Sequence, residues 1–107
     1  MVDGIVNMGL SEKELAILRH ILSRYPHIEE AVVFGSRAKG NYKPASDIDL
    51  AIKGEDLEKD DLSAVLADLE ASLLPYFVDV VLYRRIQNEA LKEHIDRVGR
   101  TIYRRDK

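Results

Sequence analysis

The stretch "AVVFGSRAKGNYKPASDIDLAIKG", Ala31 to Gly54, decides how this chain is read. Two strand-like runs, Ala31–Phe34 and Asp47–Lys53, bracket a polar loop rich in turn formers. The second run carries Asp47 and Asp49, although Asp is depleted from strands. Strand side chains alternate faces, so the two carboxylates point the same way, roughly 6.5–7 Å apart along the backbone. Ile48, Leu50 and Ile52 take the opposite face into a core. Like charges held this close raise each other's pKa and cost stability unless something offsets them. A divalent cation does so: Mg²⁺ accepts a few carboxylates and keeps positions for water and phosphate oxygens.

Downstream, "FVDVVLY" (Phe77–Tyr83) reads as a third strand with Asp79 at its middle and Val78 and Val80 on the other face. If that strand neighbours the second, Asp47, Asp49 and Asp79 converge on one sheet edge. Such a cluster can hold two metals ~3.5–4 Å apart, stabilising both the attacking and the leaving oxygen of a phosphoryl transfer. An isolated Asp-x-Asp is more often a turn or a helix cap. Three Asp residues breaking strand propensity in two strands point to a site, because local rule-breaking concentrates where function requires it.

Upstream, "FGSRAKG" runs from a strand directly into a turn. Gly35 lets backbone approach a ligand closely. The amides after it and the Ser36 hydroxyl form a phosphate cradle at the start of a short helical turn ending near Gly40. Arg37 and Lys39 offer positive charge there, or are simply solvated. Gly35 and Gly40 match P-loop spacing, but Asn41-Tyr42 stand where Lys-Ser/Thr is required. A serine-hydrolase elbow fails as well, since Ser36 lacks the first and last flanking glycines. His20, His27 and His94 have no ligand spacing and read as ordinary surface or helix residues.

The remaining elements frame this stretch. Ser11 and Glu14 form a capping box, and Leu15, Leu18, Ile21, Leu22 and Tyr25 follow helical spacing up to Pro26. "DLSAVLADLEASLL" places Leu62, Val65, Leu66, Leu69 and Leu73 on one helical face, stopped by Pro75. The acidic run before it suits a helix N-terminus. "NEALKEHIDRVG" is a last helix capped by Asn88 and closed by Gly99, and "TIY" adds a short terminal strand. The order of helices and strands indicates an α/β domain built on one small mixed sheet, with residues 1–107 forming a single domain of ordinary size.

Composition limits the function classes. There is no cysteine, which removes thiolate metal sites and cysteine nucleophiles and fits a cytoplasmic setting. The first residues have no basic segment or apolar core of a signal peptide, and no apolar run approaches a membrane span. Residues 1–83 hold 8 basic against 15 acidic side chains, whereas residues 84–107 hold 8 against 4. The acidic body makes a nucleic-acid partner unattractive, because such contacts need clustered cations. The basic C-terminal segment either meets an acidic partner or is a solvated helix and tail.

Gly35-Ser36, ten residues, then Asp47-Ile48-Asp49 resembles the signature of the DNA polymerase β-like nucleotidyltransferase superfamily. More narrowly, the chain resembles its minimal, single-domain members, the MNT antitoxins encoded beside HEPN-domain toxins. The resemblance implies transfer of a nucleoside monophosphate, AMP from ATP, to a hydroxyl, with release of pyrophosphate. It implies that Asp47 and Asp49 bind Mg²⁺, that Asp79 completes a two-metal site and helps activate the acceptor, and that Gly35 and Ser36 hold the triphosphate. In that subgroup the acceptor is a tyrosine of the HEPN toxin. The alternatives are a module that neutralises its partner by covering it, and a transferase acting on a small-molecule hydroxyl. So small a domain has little surface left for an acceptor pocket, which favours a separate protein as the bearer of the hydroxyl.

Overall fold

A computed structural model describes residues 8–40, 43 and 46–105; the expected loop positions Asn41 and Pro44 lie outside them. The elements run α1 (Glu12–Ser23), β1 (Glu30–Phe34), α2 (Ser36–Lys39), β2 (Ile48–Lys53), α3 (Lys59–Glu70), β3 (Val78–Leu82), a 3₁₀ turn (Tyr83–Arg85), α4 (Glu89–Val98) and β4 (Arg100–Arg104). The capping box of α1 is present in full, with Ser11 and Glu14 each accepting from the other's backbone N–H. Asn88 caps α4 through the Leu91 amide.

The sheet has the order β3-β2-β1-β4. β1 lies antiparallel to both β2 and β4, whereas β2 and β3 are parallel, so the sheet is mixed. The β2–β3 register sets Asp49 directly beside Asp79. The terminal "TIY" is part of the five-residue β4. The basic C-terminal segment is anchored rather than loose: Arg105 donates to the carbonyls of Tyr25 and Ile28, and Arg104 pairs with Glu30 at 3.4 Å.

Both faces of the sheet are covered. On one, Val33, Leu50, Ile52, Val80 and Ile102 pack with Leu18, Leu22, Val65 and Leu69 of α1 and α3. On the other, Val32, Phe34 and Ala51 pack with Ile95 of α4, joined by Val81 and Leu91. Each fully buried Leu or Ile stabilises the fold by roughly 1.5–3 kcal/mol. Asp49 and Asp79 belong to the α4 face, at the end of the sheet that α4 leaves open. The carboxylates therefore sit at the margin of a second apolar layer.

Gly99 closes α4 for a reason other than handedness. Its φ is −59°, within reach of any residue, but a Cβ there would collide with the Ile95 carbonyl and the Val32 side chain. Where α4 meets β1, only hydrogen fits.

Three expectations are corrected. α3 ends at Glu70, so Leu73 is not on its buried face but 90% exposed. The Ser72 hydroxyl donates to the Leu69 carbonyl at 2.6 Å, the local capture by which serine competes with helix continuation. Leu74 precedes Pro75 and is biased towards extended backbone. β2 starts one residue late, leaving Asp47 exposed at its threshold. β3 is shorter than Phe77–Tyr83, because Tyr83 turns into the 3₁₀ segment.

Candidate active site

The site is assembled at one end of the sheet from the C-terminal end of β1, the start of β2 and β3, and the open end of α4. Phe34, the last residue of β1, pairs with Asp49 across the antiparallel ladder. The chain then turns at Gly35, with φ +74° and ψ −153°, a combination essentially restricted to glycine. A Cβ at Gly35 would run into Oδ2 of Asp49. Backbone and carboxylate thus approach as closely as the absence of a side chain allows, and Gly35 is required on two independent grounds.

Asp49 and Asp79 stand on neighbouring strands, about 4.8 Å apart at the backbone. Asp49 is half-buried and Asp79 exposed. Burial pushes the Asp49 carboxyl above its usual range; Asp79 and then Asp47 push it further up, and His94 pulls against them. Asp49 therefore carries its charge at a cost that a neighbouring cation would offset.

Whether the donors fit Mg²⁺ is decided by their chemistry. Among the described residues, no three His, Asp or Glu side chains gather closely enough to enclose a metal unaided. Asp47, Asp49 and Asp79 therefore do not form a closed cage, although Asp47 stands close enough to raise the Asp49 pKa. Mg²⁺ does not require one: it is held by one or two carboxylates and completed by water and substrate phosphate. An all-oxygen pair that repels itself at the bottom of an open edge fits that description.

Gly35, Ser36, Arg37 and Lys39 fall into two groups. Gly35 and Ser36 lie at the turn beside Asp49, and Lys39 is exposed on α2. Arg37 is corrected: its side chain is only 1% exposed and faces inward. Its guanidinium donates to the Ser46 carbonyl from two nitrogens, at 3.1 and 2.7 Å, and to the Met8 carbonyl at 2.7 Å. It also lies 4.4 Å from the centre of the Tyr76 ring. A planar fork over an aromatic face with carbonyls at its tips is a structural use of arginine that lysine cannot copy. Arg37 thus ties α2 to the segment leading into β2; it does not point charge at a ligand.

His94, read from sequence as an ordinary helix residue, belongs to the site. The Gly35 N–H donates to His94 Nε2 at 3.2 Å, and the imidazole meets the Phe34 ring edge-on at 6.3 Å. The available signal is spacing: His94 follows Leu91 by three, and Leu91 packs with Ile95 against the sheet. His27, by contrast, is exposed and lies 3.4 Å from Asp61 at the start of α3.

A cavity lined by Glu30, Lys53, Tyr83 and Arg104 lies at the other end of the sheet. Its charges are matched internally, with Glu30 holding Arg104. No described helix is long and apolar enough to cross a membrane.

The arrangement can be set beside known proteins. The sequence model of the family described as "Polymerase beta, Nucleotidyltransferase" matches residues 17–107. The chain is 32% identical over 110 residues to "Probable protein adenylyltransferase MntA" of Haemophilus influenzae, covering 99% of this chain and 93% of that protein. A toxin–antitoxin structure determined with AMP-PNP superposes with a TM-score of 0.70 at 22% identity, covering 85% of this chain and 73% of that one. The tri-AMPylated Shewanella oneidensis HEPN toxin in complex with MNT antitoxin gives a TM-score of 0.58 at 22% identity, covering 87% and 68%. The structural likenesses share the mixed sheet and its flanking helices. The family match over most of the chain, on a sheet that carries Asp-Ile-Asp beside a Gly-Ser turn, places this protein in the polymerase β nucleotidyltransferase family.

Proposed function

We propose that the chain is an Mg²⁺-dependent adenylyltransferase that moves AMP from ATP to a tyrosine hydroxyl of a HEPN-type toxin and thereby acts as its antitoxin. The observation that carries this reading is the juxtaposition of Asp49 with Asp79 in register, against a glycine turn that permits close backbone approach. The relative named as a protein adenylyltransferase supports the nucleotide and the protein acceptor. The AMPylated HEPN toxin held by an MNT antitoxin supports the partner class.

The chain's residues divide the work as follows. Gly35 and Ser36 receive the triphosphate tail, with the Ser36 hydroxyl as an added donor. Asp49 and Asp79, with Asp47 beside them, would hold Mg²⁺, which when bound would neutralise charge developing on the transferring phosphate. The acceptor oxygen and the leaving pyrophosphate lie on opposite sides of the α-phosphorus in an in-line displacement. With the tail at the end of β1 and the α-phosphate over β2, the acceptor arrives from the β3 side. Asp79 is the carboxylate on that side and is placed to take the hydroxyl proton as the new P–O bond forms.

Phe77 marks the same approach. It is 82% exposed, and its carbonyl accepts from the Ile48 amide, which sets Phe77 beside Asp47. An exposed phenylalanine at the acceptor's side serves as an apolar anchor for a protein, and anchors of this kind dominate binding. Phe77→Ser is expected to raise the KM for the protein acceptor about ten-fold, within the range of one lost anchor. The KM for ATP should stay unchanged. A rise confined to ATP would assign Phe77 to the nucleotide instead.

Mass spectrometry of a HEPN toxin partner incubated with this chain, ATP and Mg²⁺ tests the function itself. The expected product is the partner carrying AMP on tyrosine. Full neutralisation of the toxin with no mass change would favour the covering module over the enzyme.

A further inference from the structure

We propose that His94 is a positioning residue, which fixes the phosphate-holding turn by accepting the Gly35 N–H. This inference rests on the nucleotidyltransferase reading above and assigns a part to α4 within it. The turn is pinned at both ends. At its end, the buried Arg37 guanidinium grips the Ser46 and Met8 carbonyls. At its start, the Gly35 N–H donates to His94 Nε2 at 3.2 Å.

The peptide plane before Gly35 is therefore set by a side chain from α4, far away in sequence. Nε2 accepts, so the ring proton sits on Nδ1. The ring is itself held edge-on against Phe34, and Ile95, its neighbour in α4, is buried against the same sheet face. Because Gly35 has no side chain to restrict it, its φ of +74° is one of several conformations open to the free residue. A hydrogen bond from a rigid helix selects one of them. Inside α2, the Lys39 and Gly40 amides are engaged by the Gly35 and Ser36 carbonyls. With the Gly35 amide on His94, the ligand-facing part of the cradle starts at Ser36.

A preorganised cradle contributes to ground-state and transition-state binding alike, so its loss is read as weakened nucleotide affinity rather than as a slower chemical step. The test uses the full chain with AMP-PNP and Mg²⁺, measured by calorimetry, for wild type, His94→Ala, His94→Leu and His94→Gln. Gln reaches with a carbonyl oxygen to where Nε2 stands, whereas Leu keeps bulk against Phe34 without an acceptor. Ala and Leu are expected to weaken AMP-PNP binding about ten-fold, the equivalent of one hydrogen bond. Gln is expected to bind within two-fold of wild type on the same scale. The Gly35 amide resonance should shift in Ala and Leu and stay near its wild-type position in Gln.

If Ala fails to fold, the Leu and Gln pair decides the question. Unchanged affinity in Leu, or equal loss in Leu and Gln, overturns the role of His94 while leaving the nucleotide site intact. A wild-type chain that binds no AMP-PNP overturns the nucleotide site itself, and His94's role with it.

Discussion

Asp49→Asn is expected to abolish nucleotidyl transfer and, in the nucleotide-free chain at neutral pH, to raise the melting temperature. Burial and two neighbouring carboxylates hold the Asp49 pKa above 3.8, its ordinary value. The folded state therefore favours the protonated form more than the unfolded chain does. Such a group contributes its stability below the unfolded pKa and loses it as pH rises through the folded one. At pH 7 the ionised side chain lies beyond that loss, and a neutral amide of the same shape does not carry the penalty. The Asn variant should thus melt above wild type at pH 7, and the gap should close towards pH 3, where both side chains are neutral. Transfer should fall by at least about a hundred-fold, since even partners one step removed from a metal ligand are worth 10- to 100-fold. Adding Mg²⁺ with AMP-PNP should raise the melting temperature of wild type more than that of Asn, because ligand binding stabilises only the state that binds. An Asn variant that melts lower at pH 7 would show that Asp49 holds the fold together instead of straining it.

Gly35→Ala is expected to damage both the fold and the site. The backbone at Gly35, φ +74° and ψ −153°, costs of order 1–3 kcal/mol for a residue with a Cβ. The added methyl would also occupy the position of Asp49 Oδ2. Relief is available in two ways, and each dismantles the site. If the turn relaxes, the amide leaves His94 and the amides beyond it point elsewhere. If Asp49 moves, it loses its place beside Asp79. The expected result is a lower melting temperature together with transfer reduced at least about a hundred-fold, the scale on which small misplacements act at a reacting centre. Thermal melting and initial-rate measurements on the same preparation check both. Wild-type rates at an unchanged melting temperature would mean that the turn is not part of the site.

The parts of this site that were legible in the sequence are those governed by local rules. Asp47 and Asp49 stand out because they break strand propensity, but strand alternation orients only Asp49, since β2 begins at Ile48. Gly35 and Ser36 stood out because a glycine follows an apolar strand directly. The pairing of Asp49 with Asp79 depends on β3 lying parallel beside β2, which no local pattern specifies. Arg37 was misread because a cation in a glycine-flanked turn looks the same whether it faces solvent or the Tyr76 ring. A four-residue helix has no periodicity to separate the two. Leu73 continued the α3 stripe on paper, but the Ser72 hydroxyl and Pro75 ended the helix first. His94 reads as a lone histidine, although its spacing from Leu91 puts it beside the residues that α4 lays against β1.

The central claim is that this carboxylate pair and glycine turn transfer the α-phosphoryl nucleoside of ATP to a protein. It is tested most directly by incubating the chain and a HEPN toxin partner with Mg²⁺ and ATP labelled at either the α- or the γ-phosphate. The account predicts label on the partner from α-labelled ATP alone, and none when Asp47 and Asp49 are both changed to Asn in a variant that still folds. Label arriving from γ-labelled ATP, or wild-type labelling by the double variant, would contradict it.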